Sequence, residues 1–306
     1  MMVFATMGCP GPDPSERAST SVGGGSSSGG GEMTSSGSSA TTGSGGATPA
    51  CDGAFGGEVE VSELNDRMGY GDEIARLTQD EQTVYFSSFR TGDWNLFSAE
   101  RGRAGVFTNI RELTELDSAE TDGAPTVTQG DTALYFHSDR TPPSKIYLAT
   151  RGDVADDYSL VGPALDGGGS VQFHPYILPD GSAIYWSAGE GPQDGFDIYR
   201  ADASGGGFLE PSKLVVNSAW ADILPVLTPD DRTLFFASNR PGGEGGLDMY
   251  VSVRSASDPF GAPTPVSELN TKDNDTPSWV SADGCRLYFT RSFEGVSRIY
   301  RTERRR

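Results

Sequence analysis

Five polar side chains recur at nearly even intervals and could converge on one ligand: Asp72, Asp122, Gln172, Asp222 and Asn274. Each stands three residues ahead of the column Ala75, Pro125, Pro175, Pro225 and Pro277. Three carboxylates gathered near one axis would repel, raising at least one pKa or attracting a cation. Paired carboxylates are also what glycoside hydrolysis uses. The same residue types are good turn formers, so a structural role in every copy is the alternative. His174 follows Gln172 closely and could hold a ligand or a metal, although a lone histidine is more often structural. Trp94, Trp220, Tyr70 and Phe173 flank the same positions and could stack on a sugar or grip a peptide. With two histidines and no Cys-x-x-Cys pair, the sequence calls for no metal and no cofactor. The GSSSG at residues 25–29 matches a hydrolase nucleophile pattern by chance, since no strand and helix flank it.

The elements that must position these residues are copies of one unit. Its cleanest copy is DILPVLTPDDRTLFFASNRPGGEGGLDMY, from Asp222 to Tyr250. DILPVLT reads as a strand, Pro229-Asp230-Asp231 as a turn, TLFFAS as a second strand, and a glycine-rich loop leads to a third. Alignment on the aromatic pair of the second strand gives Tyr85-Phe86, Tyr135-Phe136, Tyr185-Trp186, Phe235-Phe236 and Tyr288-Phe289, spaced by 50, 50, 50 and 53 residues. Five residues ahead of each pair stand Asp80, Gly130 (with Asp131 beside it), Asp180, Asp230 and Asp283, opening a tight turn. The third strands read WNLF, KIYL, DIYR, DMYV and RIYR, and the prolines are expected to mark the start of each first strand. A period near 50 residues with about four strands per copy is the signature of a β-propeller. Five blades are expected, with six as the alternative. Burial on both faces accounts for apolar runs such as ALYF and TLFF.

The order of proline, Pro-Asp-Gly, aromatic pair, Ser-x-Arg and Asp-Ile-Tyr resembles the WD40-like repeat of the TolB and tricorn type, called PD40. It is fullest at LPDGSAIYWSAGEGPQDGFDIY (178–199) and TPDDRTLFFASNRPGGEGGLDMY (228–250), and covers residues 58–301. The resemblance implies a periplasmic partner such as a peptidoglycan-associated protein. It says little about chemistry, because such propellers serve as platforms, gates and accessory domains. The pairs Ser88/Arg90, Ser138/Arg140 and Ser238/Arg240 suggest hydrogen bonding between blades, and Glu190 replaces the arginine in the third copy.

The fifth copy stops after its third strand, at RIYRTERRR. FGGEVEVSELN (55–65) echoes FGAPTPVSELN (260–270), so the N-terminal strand is expected to complete the last blade and leave no exposed edge. Cys51 precedes that strand and Cys285 begins a strand of the blade it closes. A Cys51–Cys285 disulfide across the seam is therefore expected. The third cysteine, Cys9, ends the apolar run MMVFATMGC, which resembles the end of a bacterial lipoprotein signal with Cys9 as the lipidated residue. Residues 10–54, dominated by Gly, Ser, Thr and Ala, read as a disordered leash to the propeller at 55–306.

The 306 residues carry 43 acids against 23 basic residues, a net charge of −20, which excludes a phosphate-binding nucleic-acid partner. The basic tail Arg301, Arg304, Arg305 and Arg306 reads as solvated. With 41 glycines and 19 prolines the chain suits short strands and turns. These features together lead to one expectation. The chain is a monomeric, non-enzymatic lipoprotein of the bacterial cell envelope, anchored to the outer membrane by lipid alone and facing the periplasm or the exterior. It would bind an envelope protein, peptide or glycan on its loop face, with a five-bladed glycosidase using rim carboxylates as the alternative.

Overall fold

The computed structural model describes Cys51 and residues 53–189, 195–256 and 258–304. Lipidation at Cys9, the leash up to residue 50, Glu190, Arg305 and Arg306 lie outside the described residues. Five antiparallel sheets form the five blades of a propeller, and no helix occurs among the described residues. Blade 1 takes Asp72–Leu77, Thr83–Ser88, Asn95–Arg101 and Phe107–Glu112 in order from the axis outward. Blade 2 repeats this with Asp122–Val127, Ala133–Ser138, Lys145–Thr150 and Ser159–Pro163. Blade 3 has Val171–Ile177, Ala183–Gly189 and Asp197–Ser204, with an outer edge broken into Gly207–Phe208 and Ser212–Lys213. Blade 4 is Asp222–Leu227, Thr233–Ser238, Asp248–Val253 and Thr264–Pro265. Blade 5 combines Asn274–Val280, Arg286–Phe293 and Val296–Arg304 with the N-terminal Phe55–Glu60.

The ring closes through that last pairing, with Phe55 opposite Arg304 and Glu60 opposite Tyr300. That pairing covers the edge of Val296–Arg304 and gives blade 5 four strands like its neighbours. Cys51 and Cys285 are joined by a disulfide beside the same seam, 234 residues apart in sequence.

The prolines do not start the inner strands, as the sequence suggested, but lie inside them at a β-bulge. Register slips between Glu73 and Arg76, Gly123 and Thr126, Phe173 and Tyr176, and Ile223 and Val226. At the bulge Ile74, Ala124, His174 and Leu224 take positive φ of 55°, 51°, 52° and 56°. A bulge releases one residue from the ladder, and so tolerates proline beside it. Three of the released N–H groups donate across the blade seam: Ile74 to Thr290 Oγ1, Ala124 to Ser87 Oγ and Leu224 to Ser187 Oγ, at 2.9–3.0 Å.

The core lies between blades. Phe86, Phe136, Phe236 and Phe289 of the aromatic column are fully buried, and the apolar clusters draw on neighbouring sheets. Burial of one such ring stabilises the fold by roughly 1.5–3 kcal/mol. Polar ties reinforce the seams. Tyr85 of blade 1 and Arg151 donate to one oxygen of Asp131 in blade 2, at 2.8 and 2.5 Å, and Tyr158 donates to the other at 2.8 Å; between blades 3 and 4 Tyr185 and Arg254 take one oxygen each of Asp231.

Candidate functional site

The acids of the recurring column are anchors, each held by its own blade. Asp122 and Asp222 are fully buried and Asp72 nearly so. One oxygen of Asp122 accepts from the backbone N–H and hydroxyl of Ser118, both at 2.8 Å, and Asp222 takes Ser218 in the same way. Asp72 accepts from the Asp66 N–H at 2.5 Å. The other oxygen of each receives an arginine: Arg90 on Asp72 at 2.6 Å, Arg140 on Asp122 at 2.8 Å, and Arg240 on Asp222. Each arginine also takes the serine two residues before it and a carbonyl of the connector arriving from the preceding blade, Leu64, Leu116 or Val216. The serine-arginine bond lies within a blade, and the arginine's carbonyl bond joins the blade to that connector. With both oxygens occupied and no access to solvent, Asp72, Asp122 and Asp222 do not converge on a ligand. Among the described residues no group of three or more His, Cys, Asp or Glu is placed to hold a metal.

Two other members of the column are corrected. In blade 5 the anchor is Asp275, which takes Thr271 at 2.7 Å and Arg291 at 2.6 Å, while the exposed Asn274 accepts from Leu247 N–H at 2.8 Å. Blade 5 has one residue fewer between its anchor and its proline, so counting three back from Pro277 lands one position early. In blade 3 Gln172 is buried, donating to Gly167 O at 2.7 Å and accepting from Ile146 N–H at 3.3 Å.

The accessible chemistry lies one residue further along the inner strands, at the rim where first strands begin and the loops between second and third strands end. Glu73, Gly123, Phe173 and Ile223 share this place in blades 1–4. Glu73 is partly buried, accepts from Ser297 Oγ at 3.3 Å, and has its carboxyl pushed up to about 7. Burial is the main cause; the serine bond works against it and the Asp72 charge adds to it. A carboxyl poised near neutrality can hold or release a proton at working pH. The repeats could have exposed it, because it is the one acid in a column that otherwise reads Gly123, Phe173 and Ile223.

Phe173 packs edge-on against Phe196 and His137, with ring centroids 5.8 and 5.2 Å apart. The His137 and His174 rings lie 5.6 Å apart. Gly123 makes room for them, since a Cβ there would fall 2.7 Å from His137 Cε1. Burial, reinforced by Arg76, pulls His137 down to about 3, and His174 is depressed by burial and by both neighbours. Both imidazoles are therefore neutral at physiological pH. Trp94 is half-buried on Phe89 and Gly71. Trp220, Tyr70, Phe293 and Met68 remain exposed around the rim.

Fold and rim together describe a five-bladed propeller with an aromatic-lined face. No protein-family model matches the chain, and no curated protein matches it. Solved structures share its fold. TolB from Acinetobacter baumannii aligns with a TM-score of 0.50 at 15% identity, over 76% of this chain and 55% of that one. The chain thus spans just over half the length of that protein. A thermostable family-43 glycoside hydrolase gives 0.53 at 16% identity over 83% and 92% of the two chains. The catalytic domain of the Coprinopsis cinerea GH62 alpha-L-arabinofuranosidase gives 0.52 at 13% over 84% and 98%. Likeness at these identities shows the fold alone. It nevertheless corrects the expectation that the chain is not an enzyme, because solved structures that share the fold include these two glycoside hydrolases.

Proposed function

We propose that the chain is a PD40-type propeller of the bacterial envelope that binds a glycan or a polypeptide across the rim of its inner-strand starts. The observation that carries this reading is the rim itself, where Trp220, Tyr70 and Phe293 stand exposed around a mouth formed by Phe173 and Glu73, whose carboxyl pKa is raised by burial. Flat aromatic faces stack on sugar rings and on extended peptides, and a carboxyl near neutrality hydrogen-bonds as donor or acceptor. The inner-strand bulge of blades 1–4, with proline in three of them, and the serine-arginine-aspartate anchor of blades 1, 2 and 4 support the repeat type. The Cys51–Cys285 disulfide supports an oxidising compartment, as the periplasm is. In this reading Cys9 carries the lipid and residues 10–54 are the leash.

Binding of the protein from Cys51 onward to glycan and peptide arrays tests the proposal. Retention by the wild type that is lost in Trp220→Ala and Tyr70→Ala is expected, and retention unchanged in both variants refutes it. A panel of aryl glycosides run beside the arrays reads catalysis. Turnover abolished by Glu73→Gln makes the rim a catalytic site rather than a binding surface alone.

A further inference from the structure

The axis is closed partway along by Ile74, Ala124 and Leu224, which come from three blades and pack with Ala237. Beyond this stopper, on the face opposite the rim, lies a small chamber of about 30 Å³, ringed by the turns that join first to second strands. Arg76 enters it from the inner strand of blade 1. The corresponding positions in the other blades are Thr126, Tyr176, Val226 and Trp279, so the guanidinium is the single charge in its column.

Arg76 is 2% exposed, and its Nε, Nη1 and Nη2 find no hydrogen-bond partner among the described residues. The guanidinium lies 4.8 Å from the centroid of the Tyr176 ring. An aromatic face offsets part of the cost of burying a cation but leaves all its in-plane donors unused. Burial pulls Arg76 down to about 10, so it keeps its charge at neutral pH. A buried guanidinium without a carboxylate is strongly unfavourable unless something else accepts its hydrogen bonds.

We infer that the lower axial chamber is a binding site for a carboxylate group, held by Arg76 through parallel N–H donors and admitted from the face opposite the rim. The planar fork matches two carboxylate oxygens. One guanidinium among walls that carry no other charge balances one negative charge and leaves a phosphate dianion uncompensated. The surrounding charge of −20 disfavours polyvalent anions further.

Calorimetric titration of sodium acetate into the full chain, in a low-salt zwitterionic buffer, tests the site. Saturable binding of one acetate per chain is expected, with affinity roughly 10- to 100-fold weaker in Arg76→Met, the factor a charge-assisted bond supplies. Arg76→Met is also expected to raise the thermal midpoint in the absence of acetate, because it removes an unpaired buried charge. The wild type supplies a test that needs no variant: acetate saturation-transfer signal unaffected by excess acetamide, its neutral isostere, supports the site. Displacement by acetamide, absence of saturable acetate binding, or equal affinity in Arg76→Met overturns it. Inorganic phosphate bound in preference to acetate overturns the carboxylate assignment.

Discussion

Asp117→Asn should stabilise the protein at neutral pH and not at acid pH. In three connectors between blades an asparagine clamps the third strand of the blade just left. Asn65 accepts from Ile299 N–H at 2.8 Å and donates to Ile299 O at 3.1 Å; Asn217 does so with Ile198 at 2.8 and 2.9 Å, and Asn270 with Met249 at 2.8 and 3.0 Å. Between blades 1 and 2 the position is Asp117, four residues after Leu113, whose N–H donates to Leu96 O as Val61 and Val266 donate to Ile299 and Met249. A carboxylate has no N–H for that carbonyl. Asp117 Oδ1 is buried without a partner, and the carboxyl is pushed up to about 6, first by burial and then by Glu112, Asp122 and Glu115.

A raised carboxyl pKa means that the folded state holds a proton the unfolded state releases, so stability is lost as pH rises from the unfolded value of 3.8 through about 6. At 1.36 kcal/mol per pH unit the ceiling is about 3 kcal/mol. Asp117 is partly exposed and solvent screens it, which brings the effect to about 1–2 kcal/mol. Asparagine removes this titration and supplies the missing donor. Urea unfolding with the disulfide intact should show Asp117→Asn more stable by about 1–2 kcal/mol at pH 8, with the difference shrinking toward pH 4. The corresponding rise in melting temperature is about 2–4 °C per kcal/mol for a domain of this size. A difference that is absent at pH 8, or equal at pH 4 and pH 8, refutes the reasoning.

Other perturbations probe the remaining parts of the account. Arg240→Ala strips the partner from the buried Asp222 and should cost about 3–5 kcal/mol in urea unfolding; a loss below about 1 kcal/mol would show the pair to be dispensable. Cys51→Ser opens the seam, and chain entropy across 234 residues puts the loss at up to about 5.5 kcal/mol, read as a lower melting temperature matched by wild type in reductant. Glu73, raised from 4.5 to about 7, should make stability fall by about 1–3 kcal/mol as pH rises through that window. Glu73→Gln should flatten the profile, and an unchanged profile places the titration elsewhere.

The spacing of Tyr85, Tyr135, Tyr185, Phe235 and Tyr288 made the blades countable in the sequence, and the VSELN echo placed the closing strand. What the sequence could not resolve is what each recurring side chain touches. Asp72, Asp122 and Asp222 present the same letters whether they face a ligand or an arginine 18 residues away, and only the folded sheet brings Arg90, Arg140 and Arg240 onto them. One residue fewer between the anchor and Pro277 was enough to put Asn274 where Asp275 belongs. Glu73 and Arg76 do not stand out in the sequence because each differs from its counterparts, whereas alignment of repeats favours positions that agree. The informative columns on the axis are the variable ones: Glu73, Gly123, Phe173 and Ile223 at the rim, and Arg76, Thr126, Tyr176, Val226 and Trp279 in the chamber.

The central claim is that the rim is the ligand-binding face. Backbone amide NMR of the isotope-labelled propeller, titrated with an array-selected glycan or peptide, tests it most directly. The account predicts shifts concentrated at Tyr70, Glu73, Phe173, Phe196 and Trp220, with the outer strands unmoved. Shifts confined to the outer strands Phe107–Glu112 and Ser159–Pro163, with the rim unmoved, would contradict it.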